Sequence, residues 1–326
     1  MKIAITSQDS RSDFVFDAEP WLSFAEEIRR NGHEIVKIDK KPEAVIFNNF
    51  SKSIYRKLSR QIPTNRRFLI VWEPPCNAPE NFNDKNRGRF SEVLFPSPIW
   101  QRRFNGLSFP WPQNTYTLDF KDNWSTRKDK FCLIQANRWR FSKGDKYCLR
   151  REILSLCSDQ IDLYGRNWNQ GPIKDTMRLI KSIPDSIKEK SFSLKSAYGI
   201  GVKYQTYRGV AKDKIKVLED YRYSLVIENS DEYVSEKIVD AILAGTIPVY
   251  VGANLSHFGF PENIAQICSS KTAEIRKAMS ELQNNEAKQG ELLKNGRDFL
   301  KSDFFQSLNN RLVLTALARE ICQRII

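Results

Sequence analysis

Residues 221–252 read YRYSLVIENSDEYVSEKIVDAILAGTIPVYVG, a pattern that fits one βαβ unit. The apolar run YSLVIE at 223–228 suits a strand buried on both faces. Asn229, Ser230 and Asp231 interrupt it, and Ser235 is placed to cap a helix that begins at Glu236. Ile238, Ala241 and Ile242 share one face of that helix, which should stop at Gly245. TIPVYV at 246–251 returns as a second strand, although Pro248 suits a sheet edge better than a central ladder. Polar residues gather at the turn: Glu228, Asn229, Tyr233, Glu236 and Lys237 all fall where the strand ends and the helix begins. In open α/β sheets ligands bind in the crevice beyond the carboxyl ends of the strands. A helix N-terminus adds free N–H groups and a positive dipole end, both suited to phosphate. A lysine in the first helical turn opposes that dipole, so Lys237 is expected to face an anion. A solvated, charged helix start is the plainer reading of Glu236 and Lys237 taken singly.

The same stretch resembles the donor-binding signature of the glycosyltransferase family 10 fucosyltransferases. That signature runs YKF-x-L-x-FEN, a spacer, YVTEK, then a helix and a strand of the type G-x-IPV-x-x-G. Here the corresponding segments are YRYSLVIEN, SDE, YVSEK and AGTIPVYVG, in the same order and spacing, with Ser235 in place of Thr. The resemblance implies an inverting transferase of GT-B architecture. Its donor would be GDP-L-fucose, and it would build an α-1,3 or α-1,4 linkage on an N-acetylglucosamine- or glucose-containing glycan. It further implies that Lys237 meets the diphosphate, that Glu236 holds the ribose hydroxyls, and that Asn229 and Tyr233 position nucleotide and sugar, with Glu228 lining the same crevice.

A length of 326 residues suits two domains of moderate size, and 40% apolar with 12% aromatic residues can fill two cores. The alternation of strand-like and helix-like segments before residue 115 argues for a parallel, doubly wound sheet. Strands are expected at 2–6, 33–38, 43–47 and 67–72, with helices at 21–30 and 51–60. Residues 115–129 are polar and aperiodic. The domains are therefore expected at 1–122, on the acceptor side, and 123–326, on the nucleotide-sugar side with a helical tail that could cross back. In the second part, strands are expected at 130–134 and 161–164, with helices at 147–157 and 214–220, the latter capped by Asp213. Residues 166–200 yield no clear pattern beyond short helices and a Ser-rich loop.

Charge and cysteine usage narrow the function classes. Lys and Arg number 52 against 39 Asp and Glu, a net charge of +13, which attracts phosphate-rich partners. The basic residues are dispersed, and no helix-turn-helix, RRM or zinc-finger pattern occurs, so nucleic acid is not an expected partner. Six cysteines without C-x-x-C spacing and only two histidines make a soft-ligand metal site or a Cys–His nucleophile a poor fit. No 18-residue apolar run and no signal-peptide core occur, so a cytoplasmic enzyme is expected. The last helix mixes Leu and Ile with Arg311, Arg319 and Arg324, which suggests peripheral contact with an anionic membrane. Packing on its own domain is the competing reading.

Two further residues could carry chemistry. Glu73, in VWEPPCNAPENFN, ends the fourth strand of the first domain and is expected at the cleft beside Trp72, a placement suited to a general base. The segment resembles the family's E-S-P-type motif with Pro74 in place of Ser, and Glu80 is a competing carboxylate. Arg150 and Arg151 both open the helix in KYCLRREIL. Counting three, four and seven positions on from Arg150 gives Ile153, Leu154 and Cys157, all apolar as in the family pattern, whereas Arg151 gives two serines. Arg150 is therefore the expected diphosphate clamp, a task suited to a planar guanidinium. With two such cations and a helix dipole no metal is required, and no other cofactor is expected beyond the donor itself. A transferase using another nucleotide sugar stays open, as does, more remotely, a non-catalytic anion binder.

Overall fold

The computed structural model describes residues 1–6, 19–115, 123–139, 144–188 and 197–325. The chain divides into two compact units, Met1–Thr115 with Gln306–Ile326, and Tyr116–Phe305. In the first unit, strands β1 (Lys2–Ile5), β2 (Glu34–Ile35), β3 (Ala44–Asn48), β4 (Arg67–Ile70), β5 (Glu92–Phe95) and β6 (Leu107–Ser108) form a parallel sheet in the order β2-β1-β3-β4-β5-β6. Every residue of β3 is buried, which is why AVIFN reads as a run of apolar residues and not as an alternation. The strand expected over 33–38 pairs only at Glu34 and Ile35.

The tail departs from the expected division. Helix Asn310–Arg324 buries Val313, Leu314, Leu317, Ala318 and Ile321 in the first unit's core, against Ile3, Ile46, Phe68 and Phe24. These five positions form the apolar stripe that covers one face of the first sheet beside helix Trp21–Arg30. Residues from Gln306 on therefore belong with the first unit and not with the second. Residues 116–122, where the boundary was expected, lie outside the described residues. The arginines of the last helix are also used internally. Arg319 donates to buried Glu27 at 2.8 Å and holds that carboxyl below the usual range, while Arg311 pairs with Glu19 and Arg324 with Glu92. The Leu–Arg pattern that suggested a membrane face is thus mostly accounted for by packing within the unit, with Leu312 left exposed.

The second unit is built from β7 (Lys128–Ile134), β8 (Ile161–Tyr164), β9 (Tyr221–Ile227), β10 (Ile247–Val251) and β11 (Gln266–Ile267), all parallel in the order β11-β10-β9-β7-β8. Its core joins Phe131, Leu133, Leu163, Leu225, Ile227 and Val249 to helix residues such as Ile153, Leu154, Ile275 and Met279. Pro248 sits inside β10, opposite Ser224 and not at the sheet edge. The Tyr250 carbonyl accepts from Cys268, so the even residues of β10 face β11, whose pairing begins only at Val249. The donor that Pro248 lacks therefore points to where no ladder runs. Helix Pro172–Lys188 was not legible in advance: its apolar residues share one side, but the internal Pro184 reads as a helix end. The Ser-rich loop expected after it falls largely on residues 189–196, outside the described residues.

Candidate functional site

In the second unit β7 leads to β8 on one side, while β9, β10 and β11 lie on the other. The strand order therefore switches between β7 and β9, and the carboxyl ends at such a switch form the ligand crevice of open α/β sheets. The residues after β9 and β7 meet there. Helix Glu236–Leu243 starts at the same end and is capped by Ser235, whose Oγ accepts from the Lys237 N–H at 3.5 Å.

Glu228 is fully buried at this point, its backbone N–H bonded to the Val251 carbonyl. Its carboxylate accepts from the Ser235 N–H at 2.9 Å, from the Ser235 hydroxyl at 2.8 Å, and from the Lys237 ammonium at 2.7 Å. Gly252 leaves the room for this arrangement, since a Cβ there would lie 2.8 Å from Glu228 Cγ and 2.4 Å from the Tyr250 hydroxyl. The anion that Lys237 faces is thus, first of all, the buried carboxylate nine residues upstream. Two of the three ammonium donors are engaged, on Glu228 and on Ser235 Oγ.

Arg150 is buried on helix Tyr147–Leu156 and reaches across to the strand end. One Nη donates to the Ile227 carbonyl at 2.9 Å and to Asn229 Oδ1 at 2.6 Å, and the guanidinium lies 4.8 Å from the centre of the Tyr147 ring. Asn229 in turn donates to the Tyr233 hydroxyl at 2.8 Å. Arg150 Nε is buried with no hydrogen-bond partner among the described residues. Arg151 points elsewhere. It bonds the carbonyls of Tyr198 and Arg138 and the Asn137 side chain, 4.0 Å from the centre of the Trp139 ring. The register that selected Arg150 over Arg151 therefore separates a crevice residue from a loop clamp.

Glu236 belongs to a second charged group on the outer side of the helix start. Lys214 bonds Glu236 at 2.9 Å and Asp240 at 3.3 Å, so two carboxylates one turn apart share one ammonium. Burial works to raise the Glu236 carboxyl, but Lys237 and Lys214 outweigh it and hold it down at about 2. Asp240 goes the other way: burial pushes it up to about 6, with Lys214 opposing and Glu236 adding. The signs follow from linkage. Asp240 binds its proton more tightly folded than unfolded, so its contribution to stability is lost as pH rises from about 4 to 6. Glu236 contributes stability that is lost as pH falls below about 4 towards 2. Asp240→Asn should remove the first of these slopes. A melting-temperature series in which parent and variant run parallel between pH 4 and 6 would disprove this account of Asp240.

The sequence reading missed other groups here. Lys146 is buried, binds Asp231 at 2.7 Å and also donates to the Ser270 hydroxyl, tying the loop after β9 to the segment after β11. Its place one turn before Arg150 was a usable signal. Gln135, just after β7, donates to the Ile227 carbonyl at 2.6 Å. Gly165 directly follows β8. At φ +140° it lets the Gln135 carbonyl approach, where a Cβ would stand 1.9 Å from that oxygen. Arg208 pairs with Asp162 at 3.0 Å, away from the crevice.

In the first unit the order switches between β1 and β3, and the strand ends there carry a chain of amides. Asn48 bonds Thr6 on one side and accepts from the Trp72 indole at 2.9 Å on the other. Asn49 accepts from the Trp72 N–H at 2.9 Å and from Asn81 at 2.9 Å. Glu73 follows at the end of β4, half-buried, with one carboxylate oxygen accepting from Asn77 at 2.6 Å. Glu80 lies on the exposed surface.

No family model matches the chain. Over 75 residues it is 33% identical to a fucosyltransferase-like protein of Arabidopsis thaliana, and over 85 residues 31% identical to GDP-fucose protein O-fucosyltransferase 3 of Danio rerio. Those stretches are 20% and 26% of this chain and 15% and 19% of the two relatives, so the chain spans less than a fifth of their length. Among solved structures it is similar to Anabaena HepE in complex with UDP and glucose, with TM-score 0.56 and 12% identity over 99% of this chain and all of that one. It is also similar to an alpha1,3-fucosyltransferase, with TM-score 0.50 and 15% identity over 99% of this chain and 90% of that one. The fold is GT-B. Two parallel-sheet α/β units and C-terminal helices match the architecture of these glycosyltransferase structures. In the GT-B fold of this chain, the residues at 221–252 selected from the sequence come together at the switch point of the second sheet.

Proposed function

We propose that this GT-B chain is an inverting glycosyltransferase that moves L-fucose from GDP-fucose to a hydroxyl of an N-acetylglucosamine- or glucose-containing glycan, in α-1,3 or α-1,4 linkage. The observation that carries the reading is the crevice at the β7/β9 switch point. There Arg150, Asn229, Tyr233 and the Glu228–Ser235–Lys237 group are assembled from the residues that resemble the fucosyltransferase signature. The Danio rerio relative, by name a GDP-fucose protein O-fucosyltransferase, supports the same donor.

In this reaction an acceptor oxygen attacks the anomeric carbon, its proton passes to Glu73, and the bond from that carbon to the diphosphate breaks with GDP leaving. The leaving group gathers negative charge, which buried donors stabilise strongly because water is excluded. Arg150 offers its unpaired Nε edge, and Lys237 its remaining donor beside the helix N-terminus. Glu236, ionised at neutral pH, takes the ribose hydroxyls. These cations supply the neutralisation, and no metal enters the scheme.

Titration calorimetry with GDP tests the donor site. Arg150→Ala and Lys237→Ala should each weaken GDP binding by about 10-fold or more, the worth of a charge-assisted hydrogen bond. Unchanged affinity in both variants would remove the assignment. A second reading, a transferase using a UDP-sugar, draws on HepE, which shares the fold and is in complex with UDP and glucose. Turnover measured across GDP- and UDP-sugars separates the two.

A further inference from the structure

Helix Pro172–Lys188 is held by one face and bare on another. Leu179 packs with Trp139, Ile183, Ala197 and Ile200, and the Trp139 indole donates to buried Asp175 at 2.8 Å. On a different side, Ile173, Met177 and Ile180 are 76%, 53% and 56% exposed. Their i, i+4, i+7 spacing puts them in one row along the helix. Surface leucines or isoleucines scattered singly need no explanation, but three in a row on one helix do. Each is followed immediately by a base: Lys174, Arg178 and Lys181. One residue is about 100° of helix, so the bases form a second row flanking the apolar one. The helix carries two acids, Asp175 on the buried side and Asp185 one turn beyond Lys181, against the four bases Lys174, Arg178, Lys181 and Lys188.

We propose that this face docks on an anionic lipid bilayer. Apolar side chains enter the acyl boundary while the flanking cations stay with the headgroups, the arrangement of an interfacial helix. The face is a plain row whose immediate charged neighbours, Lys174, Arg178 and Lys181, are basic. That suits a fluid anionic surface better than a shaped protein partner. An apolar insert alone or a basic patch alone anchors weakly, and here both occur together in a chain of net charge +13. The site lies wholly in the second unit and does not depend on which sugar is transferred.

Co-sedimentation of the full chain with phosphatidylcholine vesicles, with and without phosphatidylglycerol, tests this. Binding should require phosphatidylglycerol and weaken as salt rises. The uncharged change Ile173→Ser/Met177→Ser/Ile180→Ser should lower partitioning at least 10-fold without altering the melting temperature or GDP binding, because all three side chains project from the surface. Lys174→Gln/Lys181→Gln should lower it as well. Three results would overturn the proposal. One is failure of the parent chain to bind any of these vesicles. Another is binding that the triple serine variant retains in full, which is adsorption through the rest of the basic surface. The third is a lipid-free dimer that the triple serine variant converts to monomer, which makes the row a contact between copies.

Discussion

Glu73→Gln should cut sugar transfer by about 10²–10⁴, the usual worth of a positioned general base, while leaving GDP-sugar binding in place. The substitution is conservative in shape and in bonding. One carboxylate oxygen of Glu73 accepts from Asn77 at 2.6 Å, and an amide oxygen can accept the same bond. The backbone around it is held independently, through Asn49 and the Trp72 N–H. What the variant loses is the ability to take a proton. Hydrolysis of the donor by water should fall less, since it depends more on stabilising the leaving diphosphate than on deprotonating a sugar hydroxyl. Glu80→Gln is the internal control, seven residues on and exposed. A Glu73→Gln enzyme that transfers at the parent rate removes the base from this position. A dead Glu80→Gln enzyme would move it there.

The same two carboxylates show what a sequence exposes and what it hides. Glu73 was legible because a buried strand ending in Glu-Pro-Pro places its next side chain at the sheet's carboxyl edge. Of the amides around it, Asn77 and Asn81 lie in the same VWEPPCNAPENFN segment, but Asn49 comes from the loop after β3, and no local pattern joins it to them. The unit at 221–252 was read nearly to the residue because each feature is local: two apolar runs, a capping serine and a stop at Gly245, which has φ +68°. Long-range partners were not readable. The ammonium of Lys237 was expected on a ligand and rests on Glu228. The space at Gly165 belongs to a carbonyl thirty residues upstream. The tail gave an amphipathic helix, but an apolar stripe does not say which sheet it will cover, and it covers the first. Helix Pro172–Lys188 was hidden for a different reason: its apolar residues share one side, but Gly171-Pro172 and the internal Pro184 read as breaks in the chain.

Lys237→Met should destabilise the fold by about 3–5 kcal/mol, the cost of leaving one member of a buried ion pair without its counter-charge. Glu228 has no exposed side-chain surface and Lys237 keeps 20% of its own, so water can reach the lysine but not the carboxylate. Two bonds from Ser235 remain to Glu228 in the variant, but neither brings a positive charge. Against a typical stability of 5–15 kcal/mol such a loss shows clearly in urea unfolding. Glu228→Gln/Lys237→Met should recover much of it, because removing both charges is far milder than removing one. The cycle also separates folding from donor binding. If Lys237 acts on the diphosphate as well as on Glu228, the double variant regains stability but not GDP affinity. Single and double variants of equal stability would mean that the 2.7 Å contact contributes nothing to folding. A double variant that binds GDP as the parent does would confine Lys237 to the structural role.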